Sequence, residues 1–179
     1  MLIRSTQLAG VKLIDLEPAI DERGFFARTF CTHQFAEHGL ETSFVQHSVS
    51  RTLRAGSVRG MHFQRAPHQE VKLLRCIAGA IYDVLIDIRP TSPTYMSWEA
   101  YDLSAENRRQ LYVPAGVAHG FQTLAPDTEV AYLISQFYAP GAAAGIRHDD
   151  PALAVRWPLP VADMSAKDRT WPDFASQTA

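Results

Sequence analysis

The strongest constraint on how this chain can fold is its punctuation. Short runs rich in β-branched and aromatic residues are cut at fairly even intervals by Gly, Pro, Asn and Asp, the pattern of successive strands and turns. Residues 10–18 alternate and stop at Pro18, and Asp21 to Gly24 reads as a turn. Phe25, Phe26 and Phe30 follow, with Arg23 and Arg28 interspersed. Phe44 to Ser50 alternates, and Val71 to Cys76 and Ala80 to Ile88 are β-rich runs separated by Gly79. After a turn over Arg89 to Pro93, Tyr95 to Leu103 reads as a strand and Ser104 to Asn107 as a turn. Gln110 to Val113 is a short strand ending at Pro114, and Glu129 to Tyr138 a long one ending at Pro140. One helix is expected over residues 32–39, with Thr32 as its N-cap and Gly39 at its stop. Gly141 to Gly145 reads as a small-residue loop, and the Pro- and Asp-rich tail from Trp157 to Phe174 as an irregular wrap. Many short strands with one helix predict an all-β protein, an antiparallel sandwich or barrel. The 179 residues show no repeat, linker or low-complexity stretch, so a single domain over 1–179 is expected.

Bulk properties remove several functional classes. A net charge of −2 lacks the basic excess of a nucleic-acid binder. No apolar run approaches membrane-spanning length. The N-terminal residues have no signal-peptide layout, and two cysteines, Cys31 and Cys76, are too few for a disulfide framework. Both read as small core residues. A cytoplasmic location, with neither nucleic-acid nor membrane partners, is the expectation.

Chemistry concentrates in residues 56–72. Arg59-Gly-Met-His62-Phe-Gln64 interleaves polar and apolar residues as a strand with one wet face does. Arg59 and His62 are three apart, so a regular strand would send them to opposite faces. Gly60 permits a bulge that re-aims them to one side. Lys72 sits in the run Val71-Lys-Leu-Leu74, where an unpaired charge would be costly. A base, a guanidinium and a half-buried ammonium suit an anionic substrate from which a proton is removed. The same residues also fit an edge-strand histidine with solvated basic neighbours.

The second informative stretch, Pro114-Ala-Gly-Val-Ala-His119-Gly-Phe121, resembles the second sequence motif of the cupin superfamily. That resemblance implies a double-stranded β-helix, a jelly-roll barrel with short helices. Metal-binding cupins place a second histidine where this chain has Gln64. Zinc or non-haem iron wants three or more good ligands, and His62 with His119 falls short, so no metal is expected.

The linked motifs identify a closer relationship. They are Asp21-Glu-Arg-Gly-Phe-Phe26, Gln46, Val58 to Gln64, Lys72-Leu, Tyr82-Asp-Val, Asp87 to Thr94, Leu103 to Asn107, Val113 to Phe121, Asp149-Asp-Pro151, Trp157-Pro and Ser165-Ala-Lys-Asp168. In this order, over about residues 20 to 174, the chain resembles the dTDP-4-dehydrorhamnose 3,5-epimerase family of metal-free cupins. The resemblance implies a homodimeric isomerase, without cofactor, acting on a nucleotide-diphospho-4-keto-6-deoxyhexose. It would invert C3, C5 or both; dTDP-4-dehydro-6-deoxy-D-glucose, converted to dTDP-4-dehydro-L-rhamnose, is the leading substrate. His62 matches the family's base, Asp168 the acid that partners it, Lys72 the group that stabilises enolate charge, and Tyr132 the proton donor on the opposite face. Arg23, Gln46, Arg59, His119 and Lys167 match contacts to diphosphate, base or sugar; Phe26 and Tyr138 are candidate stacking surfaces for a base and fit plain packing equally well.

Several positions depart from the family's pattern. Arg28 stands where an acid is usual, Ser48 for Asn, Leu133 for Lys and Ala143 for a substrate-contacting Glu. Residues 51–57 run one position longer. The ending Trp171-Pro-Asp-Phe174 resembles a divergent branch. Each matched residue also fits a plainer part: Tyr132 as core, Asp168 as half of a surface pair with Arg169, Lys72 as a strand-edge cation, His119 as a turn cap. Two further classes stay open on sequence alone, a metal-dependent cupin enzyme and a non-catalytic sugar-nucleotide binder.

Overall fold

The computed structural model describes residues 1–174. The chain begins with β1 (Leu2–Ser5), β2 (Lys12–Asp15), β3 (Ala19–Asp21) and β4 (Gly24–Phe26), then α1 (Thr32–Glu37) and β5 (Gln46–Thr52). It continues through β6 (Ser57–Gln64), β7 (Lys72–Ala78), β8 (Ala80–Asp87), β9 (Trp98–Ser104), β10 (Gln110–Val113), β11 (Val117–Thr123) and β12 (Thr128–Ile134). Last come β13 (Ala143–Gly145), β14 (Asp163–Met164) and α2 (Ala166–Arg169). One six-stranded sheet has the order β1-β2-β10-β7-β12-β5, and the other runs β13-β6-β11-β8-β9 with β14 added beside β6. β3 and β4 pair only with each other. All pairs are antiparallel except β14 with β6. Long crossovers between two facing antiparallel sheets make this the cupin-like jelly roll.

The principal core lies between the sheets, where Leu74, Cys76, Leu111 and Val130 meet Ile81, Leu85, Leu103 and Phe121. Burying a side chain such as Phe121, 2% exposed, contributes about 2–3 kcal/mol. β11 is buried along its whole length, because its sheet is also covered from outside. Ile146, Leu153 and Phe174 from the C-terminal segment close over Met61, Val84, Ile86 and Ala118. α1 does the same for the other sheet, seating Phe35 against Ile14, Leu73 and Tyr112.

Five local expectations need correction. Thr32 is the first helical residue and Cys31 the cap, with no side-chain capping bond; Gly39 ends the helix at φ +65°. β12 stops at Ile134 because the buried Gln64 amide draws the following segment aside. Its Oε1 accepts from Ala139 N at 2.7 Å, and its Nε2 donates to Phe137 O at 3.3 Å and His68 O at 2.9 Å. Strand β9 begins only at Trp98, because Ser92 and Thr94 turn back to donate to the buried Asp87. The supposed loop 141–145 contains β13, whose residues pair with Gln64, Phe63 and His62, and the tail carries β14 and α2. Both cysteines are free; Cys76 is buried and Cys31 half-buried.

Candidate active site

The site forms where β6 bulges. His119 pairs with His62 and Phe121 with Arg59, so Gly60 and Met61 together oppose Gly120. Gly60 sits at φ +128°, and a Cβ there would lie 2.5 Å from the Gly120 Cα. Two glycines are what let the strands approach this closely. The extra residue turns Arg59 and His62 into the same cavity, as the Gly60 argument expects.

That cavity has a volume of about 710 Å³ and is walled by both sheets, within the range of small-molecule sites. His62 comes from one sheet; Lys72 and Tyr132 come from the other. His62 Nε2 lies 2.6 Å from Asp168 Oδ1; the imidazole is 44% exposed and the carboxylate 5%. Asp168 sits in α2, where Ser165 Oγ caps the helix by accepting from Asp168 N at 3.0 Å. Burial opposes ionisation of Asp168, but the bond and charge of His62, with N–H donors from Gly60 and Trp171, hold its carboxyl below the ordinary range,. A surface pair with Arg169 is therefore not its setting.

Lys72 is not left unpaired. Its Nζ lies 3.0 Å from Glu70 Oε1, with both side chains largely buried, and donates to His62 O at 3.5 Å. The Tyr132 hydroxyl is 3.3 Å from Ser50 Oγ. Burial, followed by the charge of Asp83, pushes its pKa well above the ordinary phenol value although Ser50 and Arg59 oppose this. Its ring meets His119 edge-on at 6.3 Å. His119 does not cap a turn: it lies within β11, its Nε2 2.8 Å from the wholly buried Asp83.

Gln46, Ser48, Arg59, Tyr138 and Lys167 also line the cavity. Arg59 is braced by Thr52 Oγ1 at 2.8 Å and Arg51 O at 3.0 Å. Gln46 Oε1 accepts from Tyr138 N at 3.0 Å. Tyr138 stands 60% exposed, its ring open for stacking. Arg23, Phe26 and Arg28 do not line this cavity. The β3–β4 hairpin pairs with neither large sheet, and all its residues are exposed. Arg23 pairs with Asp21, and Arg28 is exposed just beyond β4. Sequence reasoning missed Glu70, Asp83 and Trp171. Two short spacings were available as signals, i,i+2 for Glu70 with Lys72 and i,i+3 for Asp168 with Trp171; Asp83 lies 36 positions from His119.

A half-open His–carboxylate pair, a paired lysine and a half-buried tyrosine around one cavity can remove, stabilise and return a proton. Among the described residues, no three His, Cys, Asp or Glu side chains cluster as a metal-holding group. Fold and cavity together define a cupin-like jelly-roll protein with titratable groups on both walls. The family model described as dTDP-4-dehydrorhamnose 3,5-epimerase matches residues 5–176. The chain is 44% identical over 169 residues to the dTDP-4-dehydrorhamnose 3,5-epimerase of Methanothermobacter thermautotrophicus, covering 93% of this chain and 90% of that one. The solved Bacillus anthracis enzyme of the same name, with TDP and PPi bound, is 40% identical at a TM-score of 0.94, covering 97% and 99% of the two chains. The Legionella pneumophila enzyme, in complex with dTDP-4-keto-L-rhamnose, is 38% identical at a TM-score of 0.89, covering 95% and 90%. This chain belongs to the dTDP-4-dehydrorhamnose 3,5-epimerase family and is an isomerase.

Proposed function

We propose that the chain converts dTDP-4-dehydro-6-deoxy-D-glucose to dTDP-4-dehydro-L-rhamnose, inverting C3 and C5 beside the C4 ketone. The observation that carries this reading is that His62, backed by Asp168, and Tyr132 belong to opposite walls of one cavity. Inversion needs a proton removed from one face of the sugar and returned to the other. A proton α to a ketone is weakly acidic, so removal needs a placed base and charge stabilisation at the enolate oxygen.

His62 takes the proton through the ring nitrogen not engaged by Asp168, and the carboxylate stabilises the imidazolium that forms. Lys72 stabilises the enolate. Tyr132 returns a proton from the far wall; its raised pKa keeps the phenol protonated until the carbanion needs it. Arg59 and Lys167 supply positive charge for the diphosphate, and Tyr138 a face for the base.

The protein acts as a homodimer in the cytoplasm. The hairpin exposes Ile20 at 74%, Phe25 at 53% and Phe26 at 75%, an apolar surface that a second copy would cover. A partner's hairpin reaching the cavity mouth would also bring Arg23, Phe26 and Arg28 to the substrate. Two free cysteines accord with a reducing compartment.

Proton NMR of dTDP-4-dehydro-6-deoxy-D-glucose in heavy water tests the reaction. Loss of both the C3 and C5 proton signals is expected. Loss of one alone would make this a mono-epimerase, and loss of neither would overturn the assignment of this substrate.

A further inference from the structure

The aromatic residue nearest the His62–Asp168 pair has no place in the reaction as set out above. Trp171 Nε1 donates to Asp168 Oδ1 at 3.2 Å, the same oxygen that lies 2.6 Å from His62 Nε2. The indole is firmly seated. It lies against Gly145, where a Cβ would come within 2.3 Å of Trp171 Cε2, so strand β13 leaves room for this ring and no side chain. The Lys167 ammonium sits 5.1 Å from the ring centroid, a cation–π distance. Trp171 also lines the cavity.

From this geometry we infer that Trp171 is a positioning residue: its N–H shares Asp168 Oδ1 with His62 and sets how strongly the carboxylate holds the imidazole. The inference rests on the reading of His62 as the base. A carboxylate oxygen that accepts two N–H bonds divides its charge between them. With the indole donor gone, Asp168 Oδ1 is left to His62 alone and binds the imidazolium more strongly,. The indole thus limits how tightly the carboxylate grips the imidazole while holding the carboxylate in place.

The test is Trp171→Phe, which removes the N–H and keeps an aromatic ring over Gly145. Wild type, Trp171→Phe and His62→Ala are compared by kcat/KM against pH for solvent exchange and by dTDP affinity. The other charged groups around the cavity stay unchanged in Trp171→Phe: Lys72 and Glu70, Arg59, Asp163, Lys167, and the His119–Asp83 pair. The acid limb should move up by about half a pH unit, with kcat lowered about tenfold, the worth of one hydrogen bond to a charged group, and dTDP affinity unchanged. An acid limb that superimposes on wild type overturns the inference, and so does a loss confined to dTDP affinity, which would make the indole a binding wall. Exchange retained in His62→Ala would instead overturn the reading beneath it. Should Trp171→Phe not fold, the wild-type indole N–H resonances decide, with Trp171's assigned by exclusion using Trp98→Phe and Trp157→Phe. Trp171's resonance should titrate with the acid limb of the rate profile; one that stays still through that range overturns the inference.

Discussion

Two His–Asp pairs share this site and behave oppositely. His62 and His119 face each other across β6 and β11, and each ring nitrogen lies within 3 Å of a carboxylate, at 2.6 and 2.8 Å. The His62 imidazole is 44% exposed to the cavity, and several donors hold the Asp168 carboxyl below its ordinary range. The His119 side chain is 5% exposed and Asp83 wholly buried. Burial raises the Asp83 pKa although His119 and Lys72 oppose it, and its Oδ1 has no hydrogen-bond partner among the described residues. The same two residue types make an accessible imidazole in one place and a sealed wall brace in the other. Solvation and donor count decide which.

The largest break in this comparison comes from the histidines. His62→Ala should lower solvent exchange about a thousandfold, as loss of a general base does, with dTDP affinity unchanged by titration calorimetry. His119→Ala should lower exchange far less and cost about 3 kcal/mol of stability in urea unfolding, because it strands a buried carboxylate. Equal exchange losses in both variants would erase the distinction.

Tyr132→Phe should slow net epimer formation by about a hundredfold while His62-dependent exchange persists. This separates removal from return of the proton and is read by following product and deuterium in the same sample.

The two carboxylates should also give opposite pH signatures in thermal melts. Asp168 is lowered in the folded state, so its stabilisation is present above the ordinary carboxylate range and is lost as pH falls through its depressed value. Asp83 is raised, so its favourable contribution is present at low pH and is lost as pH rises through its elevated value. The Tm deficit of Asp168→Asn should therefore shrink on acidification. Asp83→Asn should gain Tm relative to wild type as pH rises above the carboxylate range. The same slope in both variants would contradict the assignment of opposite environments.

The smallest effect expected lies far from both pairs. Phe26→Ser should weaken self-association in analytical ultracentrifugation by about tenfold, roughly the transfer free energy of one partly buried ring, while leaving the fold intact by circular dichroism. Unchanged association would remove the hairpin from the dimer.

Much of this site was legible because its signals are local. Alternation and turn residues mark most strands, and Gly60 betrays the bulge that brings Arg59 and His62 together. His62, Lys72, Tyr132 and Asp168 could be singled out by motif, and all line the cavity. What local signals could not carry are partners remote in sequence. Asp168 meets His62 across 106 positions, His119 meets Asp83 across 36, and Trp171 meets Gly145 from opposite ends of the closing segment. The shortest elements, β13, β14 and α2, have two to four residues each. Helical propensity cannot stabilise one turn by itself, nor can a two- or three-residue strand stand without a sheet. Packing on β6 makes them regular.

The sequence by itself determined a strand-rich chain, the bulge at Gly60 and the chemical types available for proton transfer. Only the tertiary structure decided which histidine is open and which is sealed, that Glu70 pairs with Lys72, and that Arg23, Phe26 and Arg28 stand outside their own chain's cavity. The reason is physical: residue identity sets what a group can donate, accept or titrate, whereas burial and long-range hydrogen bonds set which of those capacities is expressed.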